Sequence, residues 1–218
     1  MDTIKTLILN RFKILSLLTV SMALSIILLM VRIKIHQSFY LLFLVWNLFL
    51  AIIPFAITTL ISSKIKLHKV TLFLTFGVWL LFLPNAPYIV TDLLHLTRTN
   101  QHFLWLDILV IMSFAFNGLL LFFLSLFDME KLLKQHLHPK LMTPLMLGIF
   151  GLSAFGVYLG RFLRYNSWEI LHQPLDIIVD AVILIIEPNL EAWVFTLTFA
   201  SFLAVSYWLV KALSHKII

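Results

Sequence analysis

Apolar residues in this chain neither alternate nor recur at helical spacing against a polar face; they run on without a break. Six such runs cover about 14–31, 39–62, 70–90, 103–127, 141–160 and 192–211, with short polar clusters between them. An α-helix rises about 1.5 Å per residue, so about 20 apolar residues cross a hydrocarbon layer near 30 Å thick. Every backbone polar group must be satisfied internally in lipid, and the strands of a barrel would alternate apolar and polar positions. The pattern therefore predicts an all-α, polytopic transmembrane bundle of about six spanning helices, with residues 1–218 as one domain. A seventh apolar run, Ile177 to Ile186, is too short to span. Asp176 and Glu187 bound it and Asp180 lies inside it, so 176–187 reads as a short amphipathic helix, either interfacial or re-entrant.

Composition agrees with the run lengths. Of 218 residues, 61% are hydrophobic and 12% charged, against about 45–50% and about 25% in soluble domains. Too few charges are present to clothe such a chain in water, and membrane lipids are its implied partners. Cysteine is absent, which removes disulfides, thiolate catalysis and cysteine-based zinc sites. No metal site and no cofactor is read from the remaining residues. A net charge of +6 would raise nucleic-acid binding in a soluble protein, but here the Lys and Arg sit in short clusters between apolar runs, so no nucleic acid is expected. The first run is preceded by Lys5, Arg11 and Lys13 and resembles a signal peptide. It is too long for a signal core and is followed by Arg32 and Lys34 instead of a small-residue cleavage site, so it reads as a retained anchor.

Positive residues also give an orientation. Lys5, Arg11, Lys13, Lys64, Lys66, Lys69, Lys131, Lys134, Lys140, Lys211 and Lys216 fall on one side of the six runs, while Arg32, Lys34, Arg98, Arg161 and Arg164 fall on the other. The positive-inside rule then predicts both termini in the cytoplasm. Most acids lean outward, including Asp92, Asp107, Glu169, Asp176, Asp180, Glu187 and Glu191.

That orientation gathers the chemically richest segments on the outer side. The third run ends in Leu83-Pro84-Asn85-Ala86-Pro87-Tyr88, followed by Thr91-Asp92-Leu93-Leu94-His95. Two prolines three residues apart remove two backbone donors and leave carbonyls near residues 80 to 83 without helical partners. Asn85 can donate to them. If the chain is helical again after Pro87, Asp92 and His95 lie one turn apart, as an acid/base pair or two ligands, or else Asn85 and Asp92 merely cap a broken helix. Asp107, a few positions into the fourth run, is costly in lipid unless paired, and with Asp92 and His95 it makes up the candidate catalytic set. Its expected partner is Arg161 or Arg164. Asn47 and Asn117 read as interhelical hydrogen bonds.

The fifth run ends in Gly156-Val157-Tyr158-Leu159-Gly160-Arg161-Phe162-Leu163-Arg164-Tyr165-Asn166-Ser167-Trp168. Ser153, Gly156 and Gly160 make a small-residue face for close helix approach. Arg161 and Arg164 can clamp an anionic group, or can snorkel and pair with outer carboxylates. With Asn85, Tyr88, Asn166 and Trp168 they are the candidate ligand-binding residues. His102 and Asp107 match a His-x-x-x-x-Asp spacing found in lipid acyltransferases, a match expected by chance in a chain with eight His and ten acids. His136 and His138 read as solvated surface.

The proline segment, the Thr91–His95 segment, the Trp105-x-Asp107 pair, the long motif through Trp168 and the Asn47-Leu48-Phe49-Leu50-Ala51 run before Pro54 together resemble a bacterial membrane family catalogued as domain of unknown function 1361. Tyr165 stands where that family's pattern suggests tryptophan. The resemblance implies a multi-pass protein of a bacterial cell membrane and no activity. From the residues, two functional classes lead: binding or transport of an anionic or lipid-headgroup ligand at the extracytoplasmic face, and a membrane enzyme acting on lipid-linked or cell-envelope substrates. A structural subunit of a membrane complex is the third.

Overall fold

The computed structural model describes residues 2–62, 68–98, 103–163, 165, 179 and 190–217. Arg164, Asn166, Trp168, His102 and, Val179 apart, the 176–187 segment lie outside the described residues. The elements are helices α1 (Asp2–His36), α2 (Phe43–Ser62), α3 (Lys69–Phe82) and α4 (Asn85–Tyr88), a 3-10 helix (Ile89–Arg98), then α5 (Leu104–Leu133), α6 (Pro139–Phe162) and a last helix, α7 (Leu190–Ile217). No strand occurs among the described residues. Among the described residues six helical stretches are long and apolar enough to cross a membrane: Arg11–His36, Phe43–Ser62, Lys69–Thr97, Leu104–Leu133, Pro139–Phe162 and Leu190–Leu213. The chain is an all-α multi-pass membrane protein, as the apolar runs predict.

Two compact units divide the chain, Met1–Leu132 and Leu133–Ile218. In the second unit α6 pairs with α7, and Tyr158, Phe162, Phe195 and Phe199 form a run of ring contacts with centroids 4.8 to 5.8 Å apart. His138 caps α6 by accepting from the Lys140 N–H (3.3 Å), a structural duty beyond the solvated role read from the sequence.

The first unit carries the polar chemistry. Helix α2 packs on α3 and α4, and the buried indole of Trp79 donates from Nε1 to Ser125 Oγ at 2.7 Å. Thr58 Oγ1 reaches the same hydroxyl at 3.4 Å. One serine thereby ties α2 and α3 to α5 inside an apolar core. Hydrogen bonds of this kind contribute about 0.6 to 1 kcal/mol each in membrane proteins. Trp79→Phe keeps an aromatic ring but removes the shorter of the two hydrogen bonds to Ser125, and should cost about 1 kcal/mol in detergent-driven unfolding; an unchanged transition would contradict this role.

Helices α1 and α5 run antiparallel, since their polar contacts occur in reversed order. Arg11 holds Asp128 through two charge-assisted bonds (2.5 and 2.6 Å). In mid-span Asn117 Nδ2 donates to Ser25 Oγ at 3.0 Å, and at the far end Arg32 Nε donates to Asp107 Oδ1 at 2.8 Å. Arg11 and Arg32 are 21 positions apart, and so are Asp107 and Asp128. At helical rise that is about 31 Å, close to the thickness of a hydrocarbon layer. The two ion pairs thus mark the two edges of the span, and the Asn117 bond is the interhelical link expected for that residue.

Gly118 on α5 sets how closely the proline break can approach. A Cβ placed there would collide with the backbone carbonyl oxygen of Ala86. With only hydrogen at this position, α4 lies directly against α5.

Candidate functional site

The site begins with the proline break. Pro84 has no N–H to continue the ladder, and α3 stops at Phe82. Asn85 Nδ2 donates to the Phe82 carbonyl (3.0 Å), the Ala86 N–H to the Leu83 carbonyl (3.2 Å), and the Tyr88 N–H to the Pro84 carbonyl (3.0 Å). The carbonyls of Phe82, Leu83 and Pro84 thus find donors within the break, and Asn85 serves as predicted. From Ile89 the chain winds as a 3-10 helix. Three residues per turn put Asp92 and His95 on one line, with His95 Nε2 3.9 Å from Asp92 Oδ1.

Asp92 is fully buried, and Asn47 on α2 donates to its Oδ2 at 2.9 Å. Asn47 therefore is an interhelical link, and its partner is a carboxylate. His95 is a quarter exposed, and its Nδ1 lies 3.0 Å from the hydroxyl of Tyr40. If Tyr40 donates, His95 carries its proton on Nε2, facing Asp92. A hydroxyl, an imidazole and a buried carboxylate then follow one another from the surface inward. Phe43 packs on the His95 ring (centroids 4.8 Å apart) and fixes its plane.

A second polar group closes the same end of the unit. Asp107 is fully buried and pairs with Arg32, itself 3% exposed, a partner other than the Arg161 or Arg164 suggested by the sequence. Arg32 also donates from Nη1 to the Ser38 carbonyl (2.8 Å). It thereby ties the connection between α1 and α2 to α5, and two residues further on that connection presents Tyr40 to His95. His36 Nδ1 lies 3.8 Å from Asp107 Oδ1. Asp107 Oδ2 and His36 Nε2 are buried with no hydrogen-bond partner among the described residues. The three proposed acid/base residues thus fall into two groups, Asp92 with His95 and Asp107 with Arg32 and His36, joined by residues 36–40.

The left-handed backbone in this unit occurs at Gln37 (φ 50°) and Phe103 (φ 61°). They directly follow His36 and directly precede α5. Gln37 is held there by its own amide, which donates to the Lys34 carbonyl at 2.7 Å. Such conformations cost about 1 kcal/mol or more for residues with a Cβ, and here they aim His36 and Phe103 at one another, with ring centroids 6.0 Å apart.

Tyr88 sits inside the break, where its carbonyl accepts from Thr91 Oγ1 (2.6 Å). Arg161 is half-buried in the last turn of α6, in the second unit. That helix ends at Phe162, and the Tyr165 N–H donates six residues back to the Leu159 carbonyl (3.2 Å), so the chain leaves the helix axis just after Arg161. Sequence reasoning missed Arg32, His36 and Tyr40. The equal spacing of Arg11 with Arg32 and of Asp107 with Asp128 was a usable signal for the first of them.

A family model described as "Protein of unknown function (DUF1361)" matches residues 46–206. Neither a curated relative nor a solved structure matches the chain.

Proposed function

Since this chain belongs to the DUF1361 family, whose description assigns no activity, we propose from its own residues that it binds the headgroup of a membrane-resident ligand at the proline-break end of its first unit. The observation that carries this reading is the chain of groups from Tyr40 through His95 to Asp92. It is solvent-reachable at the tyrosine, buried at the carboxylate, and stands at a span edge where headgroups reside. A buried carboxylate is expensive in lipid and marks a functional site by default. The hydroxyl and imidazole can each donate or accept, which suits a ligand bearing oxygen functions.

In this reading the end with Tyr40 and His95 faces out of the cytoplasm, as the excess of Lys and Arg at the opposite end supports. The absence of cysteine makes this easy to check. Lys34→Cys should react with a membrane-impermeant maleimide added outside intact cells, and reaction only after permeabilisation would reverse the orientation.

The binding test uses protein in nanodiscs and compares lipids by their effect on the unfolding midpoint. Lipids that stabilise the wild type should lose that effect in Tyr40→Phe and His95→Ala, each removing a contribution of about 1 kcal/mol. Both side chains are partly exposed, so the folding of the apoprotein should change little. Unchanged lipid effects in both variants would remove the proposal.

The same alignment favours a second reading, a lipid-acting enzyme in which His95 takes a proton from a hydroxyl while Asp92 balances the imidazolium. Altered headgroups after incubation, detected by mass spectrometry and absent with His95→Ala, would select it. Return of every lipid unchanged would reject it. An anion clamp at Arg161 and Arg164 remains a separate proposal; Arg161→Ala should weaken binding of anionic lipids, and equal binding would end it.

A further inference from the structure

Asp107 Oδ2 and His36 Nε2 are two buried hydrogen-bonding atoms with no partner among the described residues, and neither belongs to the Tyr40–His95–Asp92 chain. A carboxylate oxygen buried without a donor forfeits its hydration, so a group that donates to it gains more than it would at a surface. Arg32 already neutralises the Asp107 charge, so this point does not call for a cation. A phosphate would meet two carboxylates at this end of the unit, Asp92 and Asp107. A neutral hydroxyl answers both objections: it donates its one proton to Oδ2 and accepts from His36 Nε2–H through a lone pair.

Aromatic rings complete the setting. His36 faces Phe103 at 6.0 Å, and Tyr40, Phe43 and His95 form a mutual cluster with centroids 4.8 to 6.3 Å apart. Phe103 and Trp105 are largely exposed beside Asp107 in the chain. Hydrogen-bonding side chains flanked by aromatic rings suit a ligand with several hydroxyls on a carbon skeleton, because the C–H groups rest on the electron-rich ring faces while the hydroxyls bond.

We propose that Asp107 Oδ2 and His36 Nε2 form a second contact point for a polyhydroxylated headgroup, whose other hydroxyls engage Tyr40 and His95. This rests on the headgroup-binding reading above and names its ligand class. Such hydroxyls occur on a glycosyl lipid and, beside a phosphate, on the glycerol of phosphatidylglycerol; recognition of the hydroxyls themselves requires that the uncharged glycosyl lipid be held.

Native mass spectrometry of the full chain, released from nanodiscs of phosphatidylcholine doped with monoglucosyl diacylglycerol or with phosphatidylglycerol, tests it. Wild-type protein should retain the glucosyl lipid, alone or together with phosphatidylglycerol, in clear preference to phosphatidylcholine. His36→Phe keeps a ring against Phe103 and removes both nitrogens; it should lower that retention about tenfold, as expected for one lost buried hydrogen bond, with an unchanged unfolding midpoint in pure phosphatidylcholine. Asp107→Asn should lower it as well, and if that variant does not fold, His36→Phe decides alone. Retention of phosphatidylglycerol only would overturn the proposal, since the phosphate and not the hydroxyls would then be recognised. So would no preference over phosphatidylcholine, or wild-type retention by His36→Phe. In that last case, loss of retention in Tyr40→Phe would leave the headgroup-binding reading standing, whereas wild-type retention in Tyr40→Phe and His95→Ala as well would end both.

Discussion

Asp107→Ala should destabilise the protein by about 3 to 5 kcal/mol, more than any other single substitution proposed for this chain. The residue is fully buried and receives the Arg32 Nε–H at 2.8 Å, while Arg32 is itself 3% exposed. Removing the carboxylate leaves a guanidinium at a span edge with its counter-charge gone, and breaking one side of a buried pair costs far more than the pair contributes in net terms. The double variant Arg32→Met with Asp107→Leu removes both charges and keeps apolar volume, so it should recover most of the loss. Unfolding midpoints in detergent or nanodiscs, combined as a double-mutant cycle, measure both effects. A loss under about 1 kcal/mol in Asp107→Ala would mean that Arg32 finds water or another partner at no cost.

Gly118→Val should be the second most damaging change, at about 2 to 3 kcal/mol. A Cβ at this position would overlap the Ala86 carbonyl oxygen, and backbone cannot step aside as the tip of a flexible side chain can. Helix α5 and the proline break must therefore separate, which loosens the neighbouring packing and strains the core. A Cβ at Gly77, Gly148 or Gly151 would meet nothing within 4 Å, so alanine at those sites should be tolerated and serves as the control. Equal midpoints for Gly118→Val and Gly151→Ala would contradict close apposition of α4 and α5.

The two expected results bear on how much of this architecture was legible in the sequence. The spans were, because a run of about 20 apolar residues has few physical fates other than a membrane helix. The Asp92–His95 pair was also legible: both regular helices consistent with a restart after Pro87 bring positions three apart together, and the structure uses the tighter 3-10 form. Asn47 and Asn117 were read as interhelical links on the ground that an amide in lipid needs a partner, and both have one. Which partner was a different matter. Asp107 was assigned to Arg161 or Arg164 because those arginines fall on its side of the chain, yet Arg32 falls there too. Choosing among them requires knowing which helices are neighbours, and continuous apolar runs carry no marked face from which to read it. Tyr40 and His36 escaped notice for a related reason. Each lies in or beside a short connection, and their meaning depends on α1, α2, the 3-10 helix and α5 meeting at one end, a long-range fact with no local signature. The equal Arg–Arg and Asp–Asp spacings are the exception, a tertiary relation written in one dimension, since two antiparallel helices with the same rise must match charges over equal intervals.

Whether the polar end of the first unit holds a headgroup can be seen directly in an electron cryo-microscopy map of the protein in lipid nanodiscs. Non-protein density should lie within hydrogen-bond distance of Tyr40 Oη or His95, continuous with an acyl chain alongside the spans. Acyl chains or protein alone covering that end, with Tyr40 and His95 bonded only to each other, would contradict headgroup binding there.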